Sequence, residues 1–204
     1  MTMEATQITN LVSENHRVSA NTGEHPDLRI FGLLTFLFSE GMLFVGLFTA
    51  YLAFRAIAPE WPPEGTEKLE ILLPGINTII LVSSSFVIHQ ADHAIKEDKL
   101  RAVQLWFLAT FVMGAIFIAG QLYEYQHLGF GFTTNIFAST FFVLTGFHGL
   151  HVIIGLCLIA AVLLRSLQPG HYHSQKHFGI EAASIYWHFV DIIWIVLFLI
   201  LYIL

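Results

Sequence analysis

Five stretches of this chain, near residues 29 to 57, 71 to 91, 102 to 126, 136 to 165 and 179 to 204, are apolar over at least the ~20 residues that cross a bilayer as a helix. Few folds can accommodate that pattern. Hydrocarbon offers no partner for a backbone amide, so each stretch must satisfy its own N–H and C=O groups internally, as an α-helix does. The connections between them, APEWPPEGTEKLE, ADHAIKEDKLR, HLGFGFTTN and SLQPGHYHSQKHF, are too short to hold a second domain. The expectation is an all-α integral membrane bundle of five transmembrane helices over residues 29–204, preceded by a polar arm at 1–28. No inverted repeat of the kind common in secondary transporters is visible.

Charge is sparse, at 12% of residues against 55% hydrophobic, so its placement carries the information. The net charge of -6 owes much to Glu4, Glu14, Glu24 and Asp27 in the arm and to Glu60, Glu64, Glu67 and Glu70 in the first connection. Nothing in it favours nucleic acid as a partner. Arg17, Arg29, Lys96, Lys99, Arg101, Arg165 and Lys176 fall on one side of the membrane, with Arg55 and Lys68 on the other. By the positive-inside rule the N-terminus is cytoplasmic and the C-terminus lies on the outer face. Residues 1 to 27 lack the apolar core of a removable signal peptide. Cys157 is the single cysteine, which excludes an intrachain disulfide and a thiolate metal centre.

The polar residues inside the apolar stretches are the candidate functional groups, because each is costly in hydrocarbon unless paired, hydrated or neutral. Glu40 falls near the middle of the first stretch, and two readings stand side by side: a proton-handling or lipid-facing acid, or a protonated carboxyl bonded to a neighbouring helix. Glu124 lies near the end of the third, flanked by Tyr123 and Tyr125, where its depth favours an interfacial carboxylate with access to water. His148 and His151 share a helix face, with Gly146 and Gly149 allowing close approach of another helix. Two histidines at this spacing are a weak metal signal, and interhelical hydrogen bonding is the plainer account. His188 and Asp191 occupy adjoining positions on one face of YWHFVDIIW, as a proton relay or, the reading that spacing favours, as a structural dyad whose members lower each other's cost of burial. His171, His173 and His177 in HYHSQKH are expected to be a solvated loop, and no metal site is expected.

Taken together and in this order, FxxSExxxFxxxFxAY, QxxEY, STFFVxTGFHGLHVxxG and YWHFVDxxW resemble subunit III of the haem-copper oxidases, most closely the cytochrome c oxidase type. The resemblance covers nearly everything from Phe31 to the C-terminus. It implies a subunit without haem or copper of its own that binds the side of catalytic subunit I, in a complex that also contains subunit II. Haem and copper belong to those partners. The resemblance further implies a lipid-filled cleft, support of proton uptake by subunit I, and protection from inactivation during turnover. The chain looks like the five-helix bacterial form of a family whose bundle commonly has seven helices, which leaves one wall of the lipid cleft in question. Glu40 matches the family's intramembrane glutamate and Glu124 the acid of QxxEY. His148 and His151 match its paired histidines, and His188 and Asp191 its WHFVD dyad.

A bacterial energy-transducing membrane, plasma or internal, is the expected location, and cytochrome c the donor to the complex. The acidic connection at Glu60, Glu64, Glu67 and Glu70 is suited to such a basic donor. The alternatives are subunit III of a quinol oxidase, which differs in its partner subunit II, a proton-coupled transporter using Glu40 and Asp191, and a membrane cytochrome b. The last needs axial histidines facing each other across a haem, whereas His148 and His151 share one stretch.

Overall fold

A computed structural model describes residues 28–64, 66, 69–168 and 172–204. Five helices are long and apolar enough to cross a membrane, and no strand accompanies them among the described residues. They are α1 (Leu28–Ile57), α2 (Leu72–Lys96), α3 (Leu100–His127), α4 (Ile136–Ser166) and α5 (Phe178–Phe198), the last continuing as a π-helical turn over Leu199–Ile203. The polar arm, with Glu4, Glu14, Glu24, Asp27 and Arg17, lies outside the described residues, as do Glu67, Lys68 and His171. The described part of the first compact unit, 28–36, is one run of helix in which the Thr35 hydroxyl bonds the Phe31 carbonyl four residues back.

In the second unit, Leu37–Leu204, α2 packs on α3, α3 on α4, α4 on α5 and α5 back on α2, so four helices close a ring. The part of α1 within this unit joins through side chains: Phe44 is fully buried against Phe147 and His151 of α4, and Tyr51 hydroxyl accepts from the Trp61 indole at 3.0 Å. Lipid tails are as apolar as leucine, so burial of apolar area gives little reason for membrane helices to associate; close packing and polar bonds decide it. Large apolar residues accordingly remain on outward faces, among them Phe38, Ile79, Phe86, Leu105 and Ile192.

The inner packing centres on two tryptophans of α5. Trp187 is fully buried and donates from Nε1 to Ser84 Oγ on α2 at 2.8 Å. Its ring fills the space left by Gly114 of α3 and Gly155 of α4: a Cβ at Gly114 would come within 2.5 Å of Trp187 Cη2, and one at Gly155 within 2.9 Å of Cε3. Trp194, two turns further along the same face, donates to Thr78 Oγ1 at 2.9 Å and stands edge-on to Phe117.

One boundary differs from the hydropathy reading. Helix α2 runs on through His89, Asp92 and Lys96, five residues past the apolar stretch, because it needs only helix-compatible residues there and not apolar ones. The chain then reverses within Glu97–Lys99, with Asp98 in the left-handed region at φ 55°, a conformation that aspartate tolerates better than most residues. The Asp98 carboxylate accepts from Ser174 N at 2.7 Å and Ser174 Oγ at 3.1 Å. The connection before α5 is solvated at His173, Gln175 and Lys176, as expected, and over 172–177 it also folds back through a His173–Lys176 bridge and is tied to the α2–α3 turn. Burial raises the Tyr172 hydroxyl pKa in this connection against the opposing pull of Arg165.

Candidate functional site

Most intramembrane polar residues resolve into three groups, each joining helices. The first is Glu40 of α1 with His151 of α4. His151 lies at the midpoint of α4, about 22 Å of helix from either end, and is buried. Its Nδ1 is 2.8 Å from the Phe147 carbonyl, which can only accept, so Nδ1 carries a hydrogen. In a neutral ring Nε2 is then a bare acceptor. Glu40 Oε2 stands 3.2 Å from that Nε2, so the contact needs one further proton, carried either as a carboxylic acid donating to the ring or as an imidazolium donating to the carboxylate. Two potentially charged groups thereby share one proton at mid-membrane, where neither could be charged alone at low cost.

His148, one turn earlier, does not join this pair. It is buried between Phe117 and Trp194, with ring centroids at 5.9 and 4.9 Å, and neither nitrogen has a hydrogen-bond partner among the described residues. The spacing of three residues rotates the two imidazoles about 60° apart around α4, enough to send them to different neighbours.

The second group gathers around α2 and α5. Ser85 Oγ lies 3.1 Å from His188 Nδ1 and donates to Asp191 Oδ2. His188 and Asp191 thus meet through a serine on the neighbouring helix. Nearer the Lys96 end of α2, Asp92 Oδ2 accepts from Ser184 Oγ at 2.6 Å, and one ligand-type atom each of His89, Asp92 and His188 lies within 4.8 Å of the others. Ser85, Ser184, His89 and Asp92 were not singled out in the sequence. His89 and Asp92 carried a usable signal, H-x-x-D on one helical face; the serines carried none, since serine is common in membrane helices.

The third group contains Glu124. Glu124, expected as an interfacial carboxylate with access to water, is only 7% exposed and accepts from Tyr202 OH at 2.8 Å and Gln121 Nε2 at 3.1 Å. The physical reason is the π-helical turn after α5, whose Leu204 N to Leu199 O bond widens the final turn as Tyr202 is brought over the acid. Beside it Tyr125 OH and Thr145 Oγ1 are bonded at 2.6 Å between α3 and α4. A cavity of about 370 Å³ lined by Glu70, Tyr123, Glu124 and His127 opens at this end.

Comparison with known proteins gives the family. Residues 6–204 match the family described as Cytochrome c oxidase subunit III. The chain is 61% identical over 180 residues to "Cytochrome c oxidase subunit 3" of Synechocystis sp., covering 88% of this chain and 77% of that protein. It is 59% identical over 181 residues to the protein of that name from Thermostichus vulcanus, covering 89% and 90%. With that of Coturnix japonica it shares 40% identity over 179 residues, covering 84% and 68%. Together with the five apolar helices, the cyanobacterial relatives make this a multi-pass integral protein of a bacterial membrane. The resemblance carried by the ordered motifs is borne out: the chain belongs to the cytochrome c oxidase subunit III family and is a subunit of that oxidase complex, consistent with a chain lacking a redox cofactor of its own.

Proposed function

We propose that this chain buttresses catalytic subunit I, holding bound lipid and the proton-uptake side of that subunit in working order, and that the Glu40–His151 pair is the clamp on which this depends. The observation that supports it is the 3.2 Å contact of Glu40 Oε2 with His151 Nε2 between α1 and α4 at the midpoint of α4, where polar bonds rather than apolar burial hold helices together. Glutamine at position 40 can donate to the bare Nε2 of a neutral His151, so it preserves the clamp without a titrating group; leucine cannot. In the purified oxidase, Glu40→Leu shortens catalytic lifetime, counted in turnovers before inactivation, several-fold, while Glu40→Gln retains it. Wild-type lifetime in Glu40→Leu refutes the clamp.

In this reading subunits I and II are the partners, phospholipid lies against the exposed apolar faces, the N-terminus is cytoplasmic and cytochrome c is the donor to the complex. His148 and the bridged His188 and Asp191 act as ordering groups between helices, and Glu124 as the closing contact of the C-terminal turn. Exposed Glu60, Glu64 and Glu70 support the choice of a basic donor over quinol. Attraction between exposed charges is screened beyond roughly 8 Å at physiological salt. Replacing the three acids with glutamine therefore slows oxidation of cytochrome c at low salt and has no effect at high salt; an unchanged low-salt rate removes this connection from donor docking.

A further inference from the structure

We propose that His89, Asp92 and His188 form a binding site for a divalent transition-metal ion of the zinc class. One ligand-type atom from each residue lies within 4.8 Å of the other two, with His89 Nδ1 and Asp92 Oδ2 at 4.0 Å. Zinc bonds of about 2.0–2.2 Å place donors of a tetrahedral site roughly 3.4 Å apart, so side-chain rotations of about an ångström close the set. Two imidazoles and a carboxylate suit zinc, copper(II) or nickel far better than calcium or magnesium, which take oxygen ligands. A fourth position is left for water or a ligand from outside the chain.

The ligands come from two packed helices, His89 and Asp92 from adjacent turns of α2 and His188 from α5. Two of the three are already oriented by hydrogen bonds. Ser184 Oγ donates to Asp92 at 2.6 Å, leaving that carboxylate's other lone pairs for a cation. His188 Nδ1 is held by Ser85 Oγ at 3.1 Å, and since Ser85 gives its own proton to Asp191, the serine accepts from the ring and Nε2 is left as the bare nitrogen. A carboxylate–hydroxyl–histidine chain of this kind fixes tautomer and raises the basicity of the ligating nitrogen, as second-shell partners of metal-bound histidines do. An ordinary surface ion pair of His89 with Asp92 explains neither Ser85 nor the convergence of His188. Lys96, one turn from Asp92, competes with a cation for the carboxylate, and His93, edge-on to His89 at 5.4 Å, is the neighbouring imidazole outside the set.

The test is equilibrium dialysis of radioactive Zn²⁺ against the purified oxidase complex containing this chain, comparing variants with wild type so that zinc held by other subunits cancels. One equivalent of zinc is lost, or its affinity falls tenfold or more, in His89→Gln and in His188→Gln. Ser85→Ala weakens the same equivalent 10- to 100-fold. His93→Gln leaves it unchanged, and haem content and subunit ratios report that each variant assembles. His89 is exposed, so its variant folds even if His188 proves needed for packing. Zinc stoichiometry and affinity equal to wild type in His89→Gln overturn the site, as does an equivalent lost only when His171, His173 and His177 are replaced.

Discussion

Alanine at Gly114 places a methyl group 2.5 Å from Trp187 Cη2 and 2.9 Å from both Cζ2 and Leu156 Cδ2. Carbon atoms rest at about 3.5–4.0 Å, so roughly 1 Å of overlap must be relieved. The end of Leu156 can swing away. Trp187 cannot: it has no exposed surface, its indole N–H is fixed to Ser84, and its Cε3 and Cζ3 atoms are against Gly155. Overpacking of this kind costs about 1–3 kcal/mol, against which alanine gains up to about 1 kcal/mol in helix propensity. The net expectation for Gly114→Ala is a loss of about 1–2 kcal/mol, or roughly 5- to 30-fold in the ratio of folded to unfolded chain. Denaturation of the full chain in mixed micelles, followed by tryptophan fluorescence, measures it. Gly46→Ala, where an added methyl meets nothing within 4 Å, shows no loss. The double variant Gly114→Ala/Trp187→Phe recovers at least about 0.5 kcal/mol relative to the sum of its parts, because the smaller ring vacates the contested space. Equal stability of Gly114→Ala and Gly46→Ala, or strict additivity in the double variant, would refute the account of α3–α4–α5 packing around one ring.

Two further expectations concern the ends of the helices. Tyr202→Phe removes one of two donors to the buried Glu124 and costs about 1–3 kcal/mol, read as a lower midpoint of thermal inactivation of the complex; an unchanged midpoint would mean water replaces the hydroxyl from the adjoining cavity. Glu97, outside the membrane helices, is held below the usual carboxylate value of 4.5 by its hydrogen bond and charge contact with Lys99. Its folded value is depressed, so its contribution is present above pH 4.5 and is lost as pH falls through the folded value. Wild type and Glu97→Gln therefore differ slightly near pH 7 and converge in acid; a difference that grows on acidification contradicts the assignment.

The membrane helices were legible because the bilayer imposes a length and an apolar composition that any spanning segment must meet locally. Their ends were less so: α2 continues past Ala91 since helix propagation ignores the switch from apolar to charged residues that hydropathy detects. Glu124 shows the limit for single residues. Its depth along α3 was readable, but its burial depends on Tyr202, 78 residues away, and on a π-helical turn that no local pattern announced.

The number of membrane helices, the family, and the identity of most residues with chemistry to offer follow from amino-acid order alone, because these rest on local composition and ordered motifs. Their partners are set by the packing of the helices. His148 and His151 are three residues apart and separate to different surroundings, whereas Glu40 and His151, 111 residues apart, share a proton. Ser85 and Asp191, separated by 106, complete a chain with His188. Helix periodicity fixes which face a side chain occupies; which helix stands opposite that face follows from how glycines, tryptophans and polar bonds let the helices close on one another.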